Sequence, residues 1–261
     1  MSKKQSRATK QANAQRAAEH AATIRREQER KERRRRTILI SSVVVGVLAV
    51  VLAVTAFVQF TRDDAGGEAG QVASAPRGAV DEYAVPLGPD DAEVTVEVYE
   101  DFICPFCRQF ELSAGNTLKE YALSGDVQVQ FKPVSFFDGQ SEGTEYSTRA
   151  LNALAVVLDT TGDEAALEMH DLLFANQPAE GTPGLTDDQL IELAVTRAEA
   201  SRSAVEDPIR DRKFEQWVSE ATDAASKAGV NSTPTVLVEG EMLVDPSVES
   251  LRAAVDAALA E

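Results

Sequence analysis

The 261-residue chain is long enough for one generous domain or two small ones, and its formal net charge of −17 is spread unevenly along it. Residues 1–36 hold 13 of the 26 Lys and Arg against four acidic residues, so the remainder is strongly acidic. Two cysteines are too few for a four-cysteine iron–sulfur cluster, and with His20 in the basic tail before the long apolar run and His170 far beyond it, no four-ligand Cys/His zinc site can be assembled.

Residues 1–36 have hardly any large apolar side chain before Ile24 and cannot bury a core of their own. They read as a basic cytoplasmic tail. No aromatic residues interleave its charges, so contact with anionic lipid headgroups fits better than nucleic-acid binding. The uncharged run Thr37–Thr61 exceeds the roughly 20 residues that a helix needs to cross a bilayer, which predicts a transmembrane helix over residues 37–60. Arg33 to Arg36 precede it directly, while only Arg62 and Arg77 follow closely. This bias keeps the N-terminus in the cytoplasm and exports everything after Phe60.

Ala73-Ser74-Ala75 resembles a small-residue processing site, but it lies well beyond an apolar stretch that is already too long for a signal peptide. The segment therefore reads as an uncleaved anchor in the cell membrane. Arg35-Arg36 could also serve a twin-arginine route, although four consecutive arginines make a simpler topology anchor. Residues 61–86, rich in Asp, Gly, Ala and Ser without period, read as a flexible linker.

Residues 87–261 are patterned as an extracytoplasmic domain. Val94, Val96 and Val98 alternate with Thr95, Glu97 and Tyr99, predicting a strand that ends near Glu100. Phe110, Leu112, Leu118, Tyr121 and Leu123 suggest an amphipathic helix, and residues 127–131 alternate again, completing a β-α-β unit. A helical insertion over about 143–205 carries Leu151, Leu154, Val157 and Leu158, then Leu172, Leu173 and Phe174, then Leu190 and Leu193.

A further helix after Pro208 places Phe214, Trp217, Val218 and Ala221 on one face, where Trp217 is a core residue. Last come a strand at Thr235–Val238, a turn at Glu239-Gly240, a short strand at Met242–Val244 and an alanine-rich helix from about Ser247. Two such halves around a helical block describe an α/β chain with a thioredoxin-like fold and an inserted helical subdomain.

The cysteines form Cys104-Pro105-Phe106-Cys107, where the first strand gives way to a helix. Covalent haem would need His after the second cysteine, and this chain has Arg108 there. A helix start places the Cys104 sulfur near the free N–H groups of the first turn, which favours the thiolate. Cys104 is thus the candidate nucleophile. Pro105 suits the first helical position, and Cys107, one turn along, can resolve a mixed disulfide. An inert disulfide is the plainer alternative, but closing so short a loop removes little chain entropy.

Gly88-Pro89-Asp90-Asp91-Ala92-Glu93-Val94-Thr95-Val96 followed by Asp101-Phe102-Ile103-Cys104-Pro105-Phe106-Cys107 resembles DsbA-type thiol–disulfide oxidoreductases and their membrane-anchored actinobacterial relatives. The resemblance covers roughly Leu87 to Ala260. It implies a cis-proline loop opposite the cysteines, for which Thr233 and Pro234 are the candidates. There the Thr233 backbone would pair with an extended substrate strand.

The chain departs from the family pattern in three places. Val98 stands where the family often has a buried acid, so proton transfer to Cys107 falls to Glu97, Glu100 or Asp101. Ser232 stands where Gly often precedes Thr-Pro. Phe106 replaces the His of the best-known oxidases, which predicts a Cys104 pKa below that of a free cysteine but less depressed than theirs.

The leading reading is an oxidase that passes its disulfide to exported or secreted proteins with free cysteines. The resemblance implies a quinone-linked, membrane-embedded reoxidising partner; no metal, other cofactor or nucleic acid is expected. Reductase or isomerase is the alternative within the same chemistry. From another class comes a non-catalytic anchored binding domain that uses a static disulfide.

Overall fold

The structure, a computed structural model, describes residues 74–260. The basic tail, the apolar run 37–60 and most of the linker lie outside the described residues. Among the described residues no helix is long and apolar enough to cross a membrane.

A five-stranded sheet is built from β1 (Val85–Leu87), β2 (Val94–Glu100), β3 (Val127–Pro133), β4 (Thr235–Val238) and β5 (Glu241–Met242), in the order β1-β3-β2-β4-β5. β2 and β3 run parallel with Val96 opposite Val129; β4 lies antiparallel on the other side of β2, with Val236 opposite Val98. The parallel pair requires a crossover, which α1 (Pro105–Ser124) supplies. Pro105 opens α1 with its fixed φ, and Gly125 closes it at φ 90°, donating its N–H to the Ala122 carbonyl.

The alternation read in β2 is real. Val94, Val96 and Val98 enter the main core with Phe110 and Leu118 of α1 and with Leu251 and Val255 of α7 (Val248–Ala258). Tyr99, on the other face, meets Ala225 of α6 (Glu215–Lys227) in a smaller cluster with Val134 and Val230. Helices therefore cover both faces.

Between β3 and α6 run α2 (Tyr146–Thr161), α3 (Asp163–Ala175), α4 (Asp187–Thr196) and α5 (Arg202–Arg210). Every residue of α2 from Tyr146 to Leu158 is buried, so this helix is the axis of the helical block. Two polar residues on it tie the block together. Asn152 donates to the Ile209 carbonyl and accepts from the Phe214 amide, while Arg149 pairs with Asp187 and donates to the Thr144 and Leu185 carbonyls. Trp217 is buried in the core, and its indole N–H donates to the Glu82 carbonyl.

Four local details differ from the sequence reading. The ordered fold begins before residue 87: Val80 bridges Ala84, and β1 pairs with β3 antiparallel, Val85 opposite Phe131. A three-residue strand is too short to show a period. Leu112 and Leu123 are exposed, off the face of α1 that carries Cys107, Phe110, Ala114 and Leu118. The helical block runs to Arg210 and not to about residue 205, with Pro208 inside α5 two residues before its end, while the helix read after Pro208 is α6. β5 holds only Glu241 and Met242, and Val244 is fully exposed.

Candidate active site

The turn after β2 is organised by a single carboxylate. Asp101 is fully buried; its Oδ1 accepts from the Ile103 amide at 3.0 Å and from Ser147 Oγ at 2.6 Å, and its Oδ2 accepts from the Phe137 amide at 2.9 Å. One side chain thus ties the cysteine turn to α2 and to the loop after β3. Burial pushes its pKa up to about 7 against the pull of these hydrogen bonds. The Cys104 amide donates to the Asp101 carbonyl at 3.0 Å, which sets Cys104 as the extended residue immediately before α1.

Both cysteines are free thiols and both are buried. The Cys104 thiol donates to the Thr233 carbonyl at 3.5 Å, and the Thr233–Pro234 peptide bond is cis. The loop therefore lies against the first sulfur. The Thr233 hydroxyl is buried beside it without a hydrogen-bond partner among the described residues. Phe106, between the two cysteines, is 69% exposed and presents an apolar ring to solvent.

The two thiols are driven in opposite directions. Hydrogen bonding from Cys107 is the largest influence lowering the Cys104 pKa; Thr233 and the Cys107 and Phe106 amides add to it, and together they outweigh burial to bring it to about 6. Burial, reinforced by the neighbouring Cys104, pushes the Cys107 thiol up. One sulfur is thus prepared as a thiolate and the other keeps its proton, the division that nucleophilic attack followed by resolution requires.

None of the three acids named from the sequence hydrogen-bonds a sulfur. Glu97 is engaged by Lys132 at 2.8 Å and by the Tyr99 hydroxyl at 2.9 Å. Glu100 is buried against His170, and Asp101 holds the turn. Asp101 influences Cys107 through its backbone and not through its carboxylate.

The sequence reading missed Gln177, whose side-chain amide donates to the Cys104 carbonyl at 2.9 Å, and Ser147, which holds Asp101. Both come from the helical block, distant in sequence, and neither belongs to a motif. It also missed the partnership of Glu100 with His170. Together with Glu111 these form a group of donors that could hold a metal ion.

A family model described as thioredoxin matches residues 81–257. The probable disulfide bond formation protein D of Bacillus cereus is 30% identical over 175 residues, which cover 65% of this chain and 76% of that protein. Among solved structures, the reduced form of the disulfide bond oxidoreductase DsbG from Mycobacterium tuberculosis superposes with a TM-score of 0.60 at 28% identity, covering 70% of this chain and 90% of that one. Reduced DsbA from the same organism gives 0.54 at 27% identity, covering 67% and 98%. The chain belongs to the thioredoxin family, among its DsbA-type thiol–disulfide oxidoreductases. It is an enzyme of thiol–disulfide exchange, and the reading as a non-catalytic domain with a static bridge is set aside.

Proposed function

We propose that this chain is an oxidase anchored in the cell membrane, which donates the Cys104–Cys107 disulfide to exported proteins. The opposite pKa shifts of the two thiols carry this reading. A low Cys104 pKa stabilises the reduced state as a thiolate, and a stabilised reduced state makes the disulfide a better oxidant.

The substrate thiolate attacks the Cys104 sulfur, forming a mixed disulfide and releasing Cys107, which takes up a proton. A second substrate thiolate then attacks the substrate sulfur of that bond, and Cys104 leaves as a thiolate. Substrate leaves with a disulfide, and the enzyme keeps two electrons that a membrane reoxidising partner must remove.

Pro105 sets the start of α1, and the Thr233–Pro234 loop offers backbone beside the reacting sulfur. The exposed Phe106 suits apolar segments of incompletely folded chains. Thr233 has a further part: when Cys104 is a thiolate, its unpartnered hydroxyl can donate to the sulfur. Asp101 is the positioning residue of the cysteine turn, and Glu97 is assigned to the Lys132 pair. The uncharged run 37–60 supports the anchor, and the arginines before it support an extracytoplasmic catalytic domain.

Cys107→Ser can form no internal disulfide, so net oxidation of exported proteins through it should stop. A mixed disulfide formed when the Cys104 thiolate exchanges with a small-molecule or substrate disulfide then has no neighbouring enzyme thiol to break it. Expressed in cells, this variant should accumulate exported proteins covalently attached at Cys104, releasable by reductant. Recovering none, with Cys104 intact and reactive, would contradict the oxidase reading.

A further inference from the structure

Glu100 at the end of β2, Glu111 on α1 and His170 on α3 bring three metal-ligating atoms within 4.8 Å of one another. Three separate elements hold them, so the fold and not a flexible loop sets the spacing. Glu100 and His170 are each 1% exposed. Their hydrogen bond accounts for Glu100 Oε1 only; Glu100 Oε2 and Glu111 Oε1 are buried with no partner among the described residues. Buried carboxylate oxygens normally find a donor or a cation. One imidazole cannot balance two carboxylates, whereas a divalent ion beside a neutral imidazole does.

The surroundings are those of a metal ligand. His170 Nδ1 lies 3.5 Å from Asp171 Oδ1, and Asp171 is itself paired with Lys119. A carboxylate behind the second ring nitrogen fixes the tautomer that offers Nε2 to a metal. Phe102, Phe131 and Phe174 surround the His170 ring at centroid distances of 4.4–5.9 Å and keep that side dry. Glu111, Asn116, Lys119 and Asp171, with the edge of Phe174, line a cleft of about 400 Å³, which gives an ion an entry path at Glu111 and water a place.

We propose that Glu100, Glu111 and His170 form a zinc site, with water from the cleft completing the coordination. One nitrogen and two carboxylate donors with an open position suit zinc, whereas calcium and magnesium prefer oxygen donors throughout. Zinc takes the place of the proton between His170 and Glu100, so binding releases protons to solvent.

The test is a competition titration of the full-length chain with zinc against a chromophoric chelator, with the Cys104–Cys107 disulfide formed so that neither thiol can ligate. One zinc per chain is expected. Glu111→Gln, at the cleft, and Asp171→Asn, behind the imidazole, should each weaken binding by about ten-fold or more. Cobalt in place of zinc should give visible absorption bands without the charge-transfer band of a sulfur ligand. No binding by the oxidised chain, or binding unchanged by Glu111→Gln and Asp171→Asn, overturns the proposal. Because thiols take no part, the outcome is independent of the oxidase reading.

Discussion

At Cys104, the Cys107 thiol and the Cys107 and Phe106 amides favour the thiolate, with the Thr233 hydroxyl free to add to them, although burial works against it. The rate of Cys104 alkylation against pH should follow a pKa of about 6; an inflection at the free-cysteine value of about 8.5 would remove the basis for a prepared nucleophile. Thr233→Val keeps the shape of the loop and deletes the hydroxyl, so its inflection should lie higher than that of the parent chain. A pKa lowered in the folded state contributes stability that is fully present above the unfolded value and lost as pH falls through about 6. At pH 7 this amounts to about 1 kcal/mol for the reduced chain. The reduced chain should therefore gain stability relative to the oxidised one between pH 6 and 8.5 in denaturant titrations. A gap that stays constant over that range would mean that Cys104 titrates alike in the folded and unfolded states. The sequence made this chemistry legible because motif and helix start coincide at Cys104. It could not reveal Gln177 or Ser147, since each acts by a single hydrogen bond across the fold.

The elements owe their positions to a few residues whose removal has predictable effects. Gly88 sits at φ 101°, and a Cβ there would lie 2.6 Å from the Val127 carbonyl oxygen. Gly88→Ala should cost about 2 kcal/mol or more in denaturant unfolding, because both the backbone conformation and the close approach oppose it. Asn152→Ala leaves the Phe214 amide without a partner and takes one of two donors from the Ile209 carbonyl, which keeps the Arg212 amide, and should cost about 1–3 kcal/mol. If this variant unfolds like the parent chain, the junction of α2 with α5 and α6 is not held by these bonds. Periodicity revealed β2, β3, β4 and α1 because each has one buried and one less buried face, or a clean apolar run. It missed β1 and displaced the bounds of β5, both too short to repeat, and it misjudged Leu112 and Leu123, which are apolar but lie off the core face.

Across the described domain, the sheet and α1 place the cysteines while the helical block supplies groups that hold their turn, Ser147 from α2 and Gln177 just after α3, and, from within α3, the His170 partner of Glu100 at the end of β2. The insertion is therefore part of the site's construction. Its helices were legible from their apolar spacing, but their contribution to the site was not, because spacing reports which face is buried and not against what. The proposed oxidase role requires that this arrangement make the disulfide oxidising. Equilibrating the full-length chain with glutathione buffers and counting free thiols at Cys104 and Cys107 by alkylation mass shift measures this directly. A reduction potential nearer the roughly −120 mV of a strong oxidant than the roughly −270 mV of thioredoxin is expected. A value at or below about −270 mV would contradict the account and make the chain a reductase.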